Sequence, residues 1–209
     1  EIVSLLPAIK SIVQHFPKTA ISIDTYRTNV AKAAIEAGAF MINDISGGTF
    51  DSEMPSFIGR LNIPYVLMHI VGTPEIMQEN PIEKDAVQQV LSFFRRQLQI
   101  FGEQGASQII LDPGFGFGKT LDANYSLLAS LPQFKSEGLP VLVGVSRKSM
   151  IHKVLQTKAE DALNGTTVLH TFAIMNGADI LRVHDIRQAS EVVKLCMKYT
   201  EVMNNPLNL

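Results

Sequence analysis

Six short apolar segments recur along the chain, and each one ends in polar side chains. Strands are expected at Ala20 to Asp24, Phe40 to Asp44, Pro64 to His69, Gln108 to Asp112, Val141 to Gly144 and Ile180 to Val183. Helical patterns lie between and around them: Ile2 to His15, Val30 to Ala37, a stretch near Glu53 to Leu61, Glu83 to Glu103, Ala123 to Leu131, Ser149 to Leu155, Ala159 to Asn176, and Arg187 to Met203. Strands that alternate with helices pair in parallel through right-handed crossovers. Near-continuous apolar runs suit strands covered on both faces.

Two α/β architectures can satisfy this rhythm, an open doubly wound sheet and a TIM (β/α)8 barrel. The strand ends decide between them. They carry Asp24, Asn43 with Asp44, His69, Asp112, then Ser146, Arg147 and Lys148, and finally Arg182, His184 and Asp185. An open sheet gathers its ligand groups mainly at one switch point, whereas a barrel brings every strand's carboxyl end to one mouth. Polar groups at all six ends point to the barrel, here with six of the eight strands. The leading helix has no strand before it, so the first two βα units are expected to be absent from this sequence, leaving two strand edges open to association.

The densest local signal is Asp112 to Thr120, an acid at a strand tip followed by alternating glycines. A phosphate-binding P-loop needs glycine five positions before Gly118, Lys119 and Thr120, and that position is Pro113. A dinucleotide fingerprint also fails, because the glycines alternate too tightly. The loop lets a ligand approach backbone, but its ligand has to be read from its neighbours.

Composition narrows the partners. The 209 residues are 46% hydrophobic and 18% charged with a net charge of −2, which suits one globular domain spanning 1–209 and argues against nucleic acid or an anionic membrane as a general partner. Cys196 is the sole cysteine, so no intrachain disulfide forms and a reducing cytoplasmic setting fits. No apolar stretch is long enough to span a bilayer.

The motifs then converge on a family. Residues 23–26 (Ile-Asp-Thr-Tyr), 42–48 (Ile-Asn-Asp-Ile-Ser-Gly-Gly), 67–69 with 72–74, 111–119, 144–149 (Gly-Val-Ser-Arg-Lys-Ser) and 182–185 (Arg-Val-His-Asp) resemble, in order, the dihydropteroate synthases. The resemblance implies a (β/α)8 barrel and a transferase of folate biosynthesis. Such an enzyme condenses 6-hydroxymethyl-7,8-dihydropterin pyrophosphate with p-aminobenzoate to give 7,8-dihydropteroate and pyrophosphate. It implies Mg²⁺ as cofactor and a homodimer formed through the later helices. The family's Asn that helps bind Mg²⁺ stands on a strand absent here, so no metal ligand is expected from this chain.

Residue by residue, the resemblance places Asn43 and Asp112 on the pterin edge, with Asp24 beside them and Met68 against the ring. Lys148 bonds the pterin carbonyl and ring nitrogen. Ser146 meets the carboxylate end of p-aminobenzoate, Phe117 and Arg147 line that second pocket, and Gly116 is a further substrate-binding residue. Arg182 and His184 anchor pyrophosphate; as alternate residues of a strand they point to one side. Asp24, Lys148, Arg182 and His184 are the candidate catalytic groups. The residues themselves leave alternatives open. Asp24, Asn43 and Asp112 could each cap the helix after its strand, Phe117 and Met68 could be core, and Asp185 could orient His184 or cap the last helix. His69 reads as structural rather than as a base. Two other functions compete, a non-catalytic pterin-binding paralogue and a methyltetrahydrofolate-dependent methyltransferase, although a methyl transfer needs no anchors for pyrophosphate or aminobenzoate.

Overall fold

The computed structural model describes residues 1–204. The elements run α1 (Ile2–His15), β1 (Ser22–Asp24), α2 (Thr28–Glu36), β2 (Met41–Asp44), α3 (Met54–Leu61), β3 (Tyr65–Met68), α4 (Ala86–Glu103) and β4 (Ile109–Asp112). They continue with α5 (Leu121–Ala129), α6 (Leu131–Lys135), β5 (Leu142–Val143), α7 (Ser149–Leu155), a 3-10 turn at Ala159–Asp161, α8 (Leu163–Met175), β6 (Ile180–Leu181) and α9 (Ile186–Asn204). The strands pair in parallel in chain order from β1 to β4, and β5 pairs with β6. A parallel bridge from Leu111 to Val141 joins the two sets. Sequential order without a reversal is the barrel arrangement and not the doubly wound one. Among the described residues, β1 and β6 have no strand on their outer sides.

Several element boundaries differ from the sequence reading for local reasons. The helix expected from Glu83 begins at Ala86, because Ile82 is tied to the glycine loop (Ile82 N–H to Gly118 O, 2.9 Å) and Asp85 takes a left-handed φ of 55°. The helix expected over Ala123 to Leu131 starts earlier, where the Thr120 hydroxyl accepts from Ala123 N–H at 3.3 Å. It stops at Ala129, and Pro132 opens a separate short helix, since proline cannot donate back into the preceding turn. The segment from Ala159 divides into the 3-10 turn and α8.

Register sorts the side chains between two faces. Asp24, Asn43, Val66 and Ile110 are successive partners across β1 to β4. Met68 and Asp112 pair two residues further on, hence on the same face. The other face carries Ile23, Ile42, Tyr65, Leu67, Ile109 and Leu111, all in the hydrophobic core with Ala31, Ala34, Phe57, Phe94 and Leu127 of the helices. Burying a side chain such as Phe94, which meets Phe134 edge-on at 5.9 Å, contributes about 1.5–3 kcal/mol.

Asp44 corrects the expectation that both polar residues of β2 serve the mouth. It lies on the helix-facing side, fully buried. Its carboxylate accepts from Ser46 N–H and Oγ (both 2.7 Å), Gly48 N–H (3.1 Å) and Tyr65 Oη (2.7 Å). Burial raises its pKa, and the bonds from Ser46 and Tyr65 oppose that rise. Asp44→Asn sets an amide N–H against donors. It should cost about 2–3 kcal/mol of stability, read as a lower denaturation midpoint at unchanged m-value.

Candidate active site at the strand tips

Five of the expected residues meet on the inner face. The Asp112 carboxylate is fully buried. Its Oδ1 accepts from Gly114 N–H at 2.8 Å, a local turn that requires glycine: φ is 71°, and a Cβ there would sit 1.9 Å from His69 O. Its Oδ2 lies 2.8 Å from Arg182 Nη2 but receives no aligned hydrogen bond. The ion pair therefore neutralises Asp112 and leaves an acceptor direction free. Arg182 Nη1 also donates to Asn43 Oδ1 at 3.1 Å, and Asn43 Nδ2 donates to Asp24 Oδ1. The guanidinium reaches this position by lying over Gly144, where a Cβ would come within 2.7 Å of Nη2.

Lys148 closes the group. Its ammonium bonds the Phe115 carbonyl and stands 4.7 Å from the centre of the Phe117 ring. Burial lowers its pKa to about 8, Asp112 opposing and Arg182 adding to the fall. Met68 is fully buried on the inner face, outside the main core cluster. Phe117 is half-buried and Phe115 wholly so.

The capping alternative fails for the three strand-tip residues. The α5 cap is Thr120, and Thr28 N–H at the start of α2 is bonded by Asp51 at 2.8 Å. Asn43 spends its amide on Asp24 and Arg182.

Three of the expected residues have partners that the local pattern does not give. Arg182 reaches across to Asp112 and Asn43, while His184 Nδ1 lies 3.0 Å from Ser146 Oγ. The strands are shorter than expected, and both residues follow the end of β6, where strand alternation no longer fixes their direction. Arg147 is ion-paired. Its guanidinium is held bidentate by Asp185 (Nε at 2.9 Å, Nη2 at 2.7 Å), and its backbone is left-handed, with its N–H bonded to Thr166 Oγ1 at 3.0 Å. Asp185 accordingly serves Arg147 rather than His184. The Arg147 hydrogen bond holds its carboxyl below the ordinary value.

The sequence reading gives no site role to Lys119, Asn124 or Gln78, and the structure ties all three to the glycine loop. The signal was there in principle. Three glycines at two-residue intervals expose carbonyls that need donors. His69 is held neutral, its pKa lowered to about 3 by burial and by Lys119. It lines a groove of about 650 Å³ with Thr49, Phe93 and Arg96, which includes none of the five clustered residues.

No three His, Cys, Asp or Glu side chains converge among the described residues to hold a metal ion. Hard Mg²⁺ prefers several oxygen ligands, and here Asp112 is committed to Arg182 and Asp185 to Arg147. The donor set does not fit a protein cage for Mg²⁺. No helix of the described residues is long and apolar enough to cross a membrane.

Comparison with known proteins bears on this geometry. Residues 1–184 match the family model described as pterin binding enzyme. Dihydropteroate synthase of Synechocystis sp. is 41% identical over 198 residues, covering 93% of this chain and 68% of that protein. A Yersinia pestis dihydropteroate synthase solved with a sulfonamide drug complex superposes with a TM-score of 0.90 at 32% identity, covering 95% of this chain and 72% of that one. A Coxiella burnetii dihydropteroate synthase solved with pteroic acid gives a TM-score of 0.89 at 36% identity, covering 97% and 74%.

Proposed function

This chain belongs to the dihydropteroate synthases of the pterin-binding enzyme family, and from that premise we propose how its strand tips serve the reaction. The chain is a transferase of folate biosynthesis, joining 6-hydroxymethyl-7,8-dihydropterin pyrophosphate to p-aminobenzoate. The observation that carries the site assignment is Asp112: a buried carboxylate, fixed by Gly114 and neutralised by Arg182, with one oxygen still lacking an aligned donor. A pterin offers an amidine-like edge of N–H donors, and a buried unsatisfied acceptor is the group such an edge relieves. Asn43 beside it can pair with both donors and acceptors of the ring.

In this reading Lys148 bonds the pterin carbonyl and ring nitrogen, and Asp24 supplies negative charge beside the ring. The bond from the methylene carbon to the pyrophosphate oxygen breaks first, and its electron pair leaves with pyrophosphate. The electron-rich pterin stabilises the cationic methylene. The arylamine nitrogen then forms the new C–N bond and gives up a proton. Arg182 has five N–H groups and directs two of its nitrogens at Asn43 and Asp112, so its remaining donors can meet the departing pyrophosphate with His184. Mg²⁺ enters this reading only in company with pyrophosphate, where it would offset phosphate charge. Phe117, Gly116 and Ser146 border the aminobenzoate, and Arg147 acts through its ion pair with Asp185.

The test is product formation by the whole protein. Dihydropteroate and pyrophosphate appearing in equal amounts support the reading; pterin bound without turnover would favour the non-catalytic alternative.

The proposed homodimer has a physical basis in α8 and α9. Phe172, Met175, Leu195 and Tyr199 are 51%, 46%, 72% and 55% exposed, and they border a common apolar groove of about 480 Å³. A patch of this kind marks an association surface. Leu195→Asp should convert the dimer to monomer in sedimentation experiments; a wild type monomeric at high concentration would contradict the assignment. The reading places the protein in the cytoplasm, where the lone Cys196 stays reduced.

A further inference from the structure

The glycine loop has to be stiff to serve the site, yet its sequence makes it soft. Gly114, Gly116 and Gly118 adopt φ values of 71°, 83° and 70°, and glycine backbone carries the largest conformational freedom of any residue. Between these glycines stand the two groups that meet Lys148, the Phe115 carbonyl and the Phe117 ring. Something must hold the turns in place.

Lys119 does so from beneath. It is 4% exposed, and its ammonium donates to the carbonyls of Gly114 (2.8 Å), Phe117 (3.0 Å) and His69 (3.2 Å). Three N–H groups meet three acceptors, the match that a buried ammonium requires. No donor is left for a phosphate, which removes the nucleotide-loop role that Gly118, Lys119 and Thr120 suggest. The His69 carbonyl follows the end of β3, so the lysine fastens the loop to the neighbouring strand. Burial draws the Lys119 pKa down to about 7, with Asp112 opposing and Lys148 adding; the neutral amine would turn a lone pair toward one of the carbonyls. Two further side chains grip the same loop. Asn124 accepts from Gly116 N–H at 2.6 Å and donates to the carbonyls of Lys119 and Thr120, and Gln78 donates to Gly116 O at 2.8 Å from the exposed side.

We infer that Lys119 is a positioning residue for the arylamine substrate: its three-carbonyl clamp sets the loop on which Phe117 borders the second pocket. The inference rests on the synthase reading above. Lys119 spends its three donors on the loop and on His69. Asp24 and Asn43 keep partners on other elements and Asp112 keeps its ion pair with Arg182, whereas Phe117 stands on the loop itself. Removal of the lysine should therefore act more on the aminobenzoate than on the pterin.

The experiment measures kcat and both KM values in the whole protein, with pterin affinity obtained separately by titration with 6-hydroxymethylpterin. Lys119→Met should raise the aminobenzoate KM by about tenfold or more, with a smaller fall in pterin affinity, since Asp112 and Lys148 each make one contact to the loop. Gln78→Ala, at an exposed position that folding tolerates, should move the same KM in the same direction by about threefold. An unmoved aminobenzoate KM in both variants overturns the inference. So does an equal loss of pterin affinity in Lys119→Met, which would mark a general structural role. If Lys119→Met does not fold, Gln78→Ala decides alone: a raised KM supports the clamp and an unchanged KM overturns it. A wild type that makes no dihydropteroate overturns the synthase reading and this inference with it, whereas normal wild-type turnover with unmoved variants overturns the clamp alone.

Discussion

Asp112→Asn should reduce pterin affinity by at least about 100-fold, roughly 3 kcal/mol, the usual scale for breaking a buried charged hydrogen-bonded pair. The substitution keeps the shape, and an amide oxygen can still accept from Gly114 N–H. The other atom becomes an N–H₂ that faces Arg182 Nη2 and, in the complex, the donor edge of the pterin. Donor then opposes donor on two sides, and Arg182 is left without its carboxylate. Titration with 6-hydroxymethylpterin reads the effect, with a melting curve to show that the variant is folded. Affinity within about threefold of wild type would mean that Asp112 is a backbone device for the Gly114 turn and nothing more.

Arg182→Ala should lower turnover by about 10²–10³, the scale seen when one preorganised donor to a developing anion is removed. Pterin affinity should fall less, because Asp112 and Asn43 remain. The variant has a second signature. Arg182 is one of the influences that lower the Lys148 pKa, after burial and against the opposing pull of Asp112. Removing that cation favours the charged lysine, so its folded pKa rises. In the wild type, activity that needs the Lys148 ammonium falls as pH rises through about 8; in Arg182→Ala the residual activity should persist to higher pH. Normal turnover would remove Arg182 from the mechanism, and an unmoved basic limb would remove Lys148.

Much of this site is legible in the sequence because parallel strands send their last residues to one place. Asp24, Asn43 and Asp112 stand at the strand ends, and the register that groups them follows from strand alternation; Lys148 joins them from the start of α7, beyond β5. The same rule misleads at Asp44, one residue beyond Asn43. Its alternation sends it to the helices, where Tyr65 and the Ser46–Gly48 turn supply its donors. Arg182 and His184 lie past the two-residue strand β6, so alternation does not fix their partners. A long flexible arginine chooses its partner by charge and distance, so its pairing with Asp112 on β4 is a tertiary fact that local pattern does not carry. The Arg147–Asp185 pair is of the same kind, helped by a left-handed backbone that nothing in the residue type announces. Lys119 was hidden for the opposite reason: it sits in the best motif of the chain, and its burial depends on His69, fifty residues earlier.

The most direct measurement is a structure of the protein with pteroic acid bound. The account predicts the pterin ring on the inner face, its donor edge on Asp112 Oδ2 and Asn43, its carbonyl side toward Lys148, and the benzoate arm along Phe117 toward Ser146. A ligand lodged in the outer groove beside His69 and Arg96, with the Arg182–Asp112–Asn43 contacts undisturbed, would contradict it.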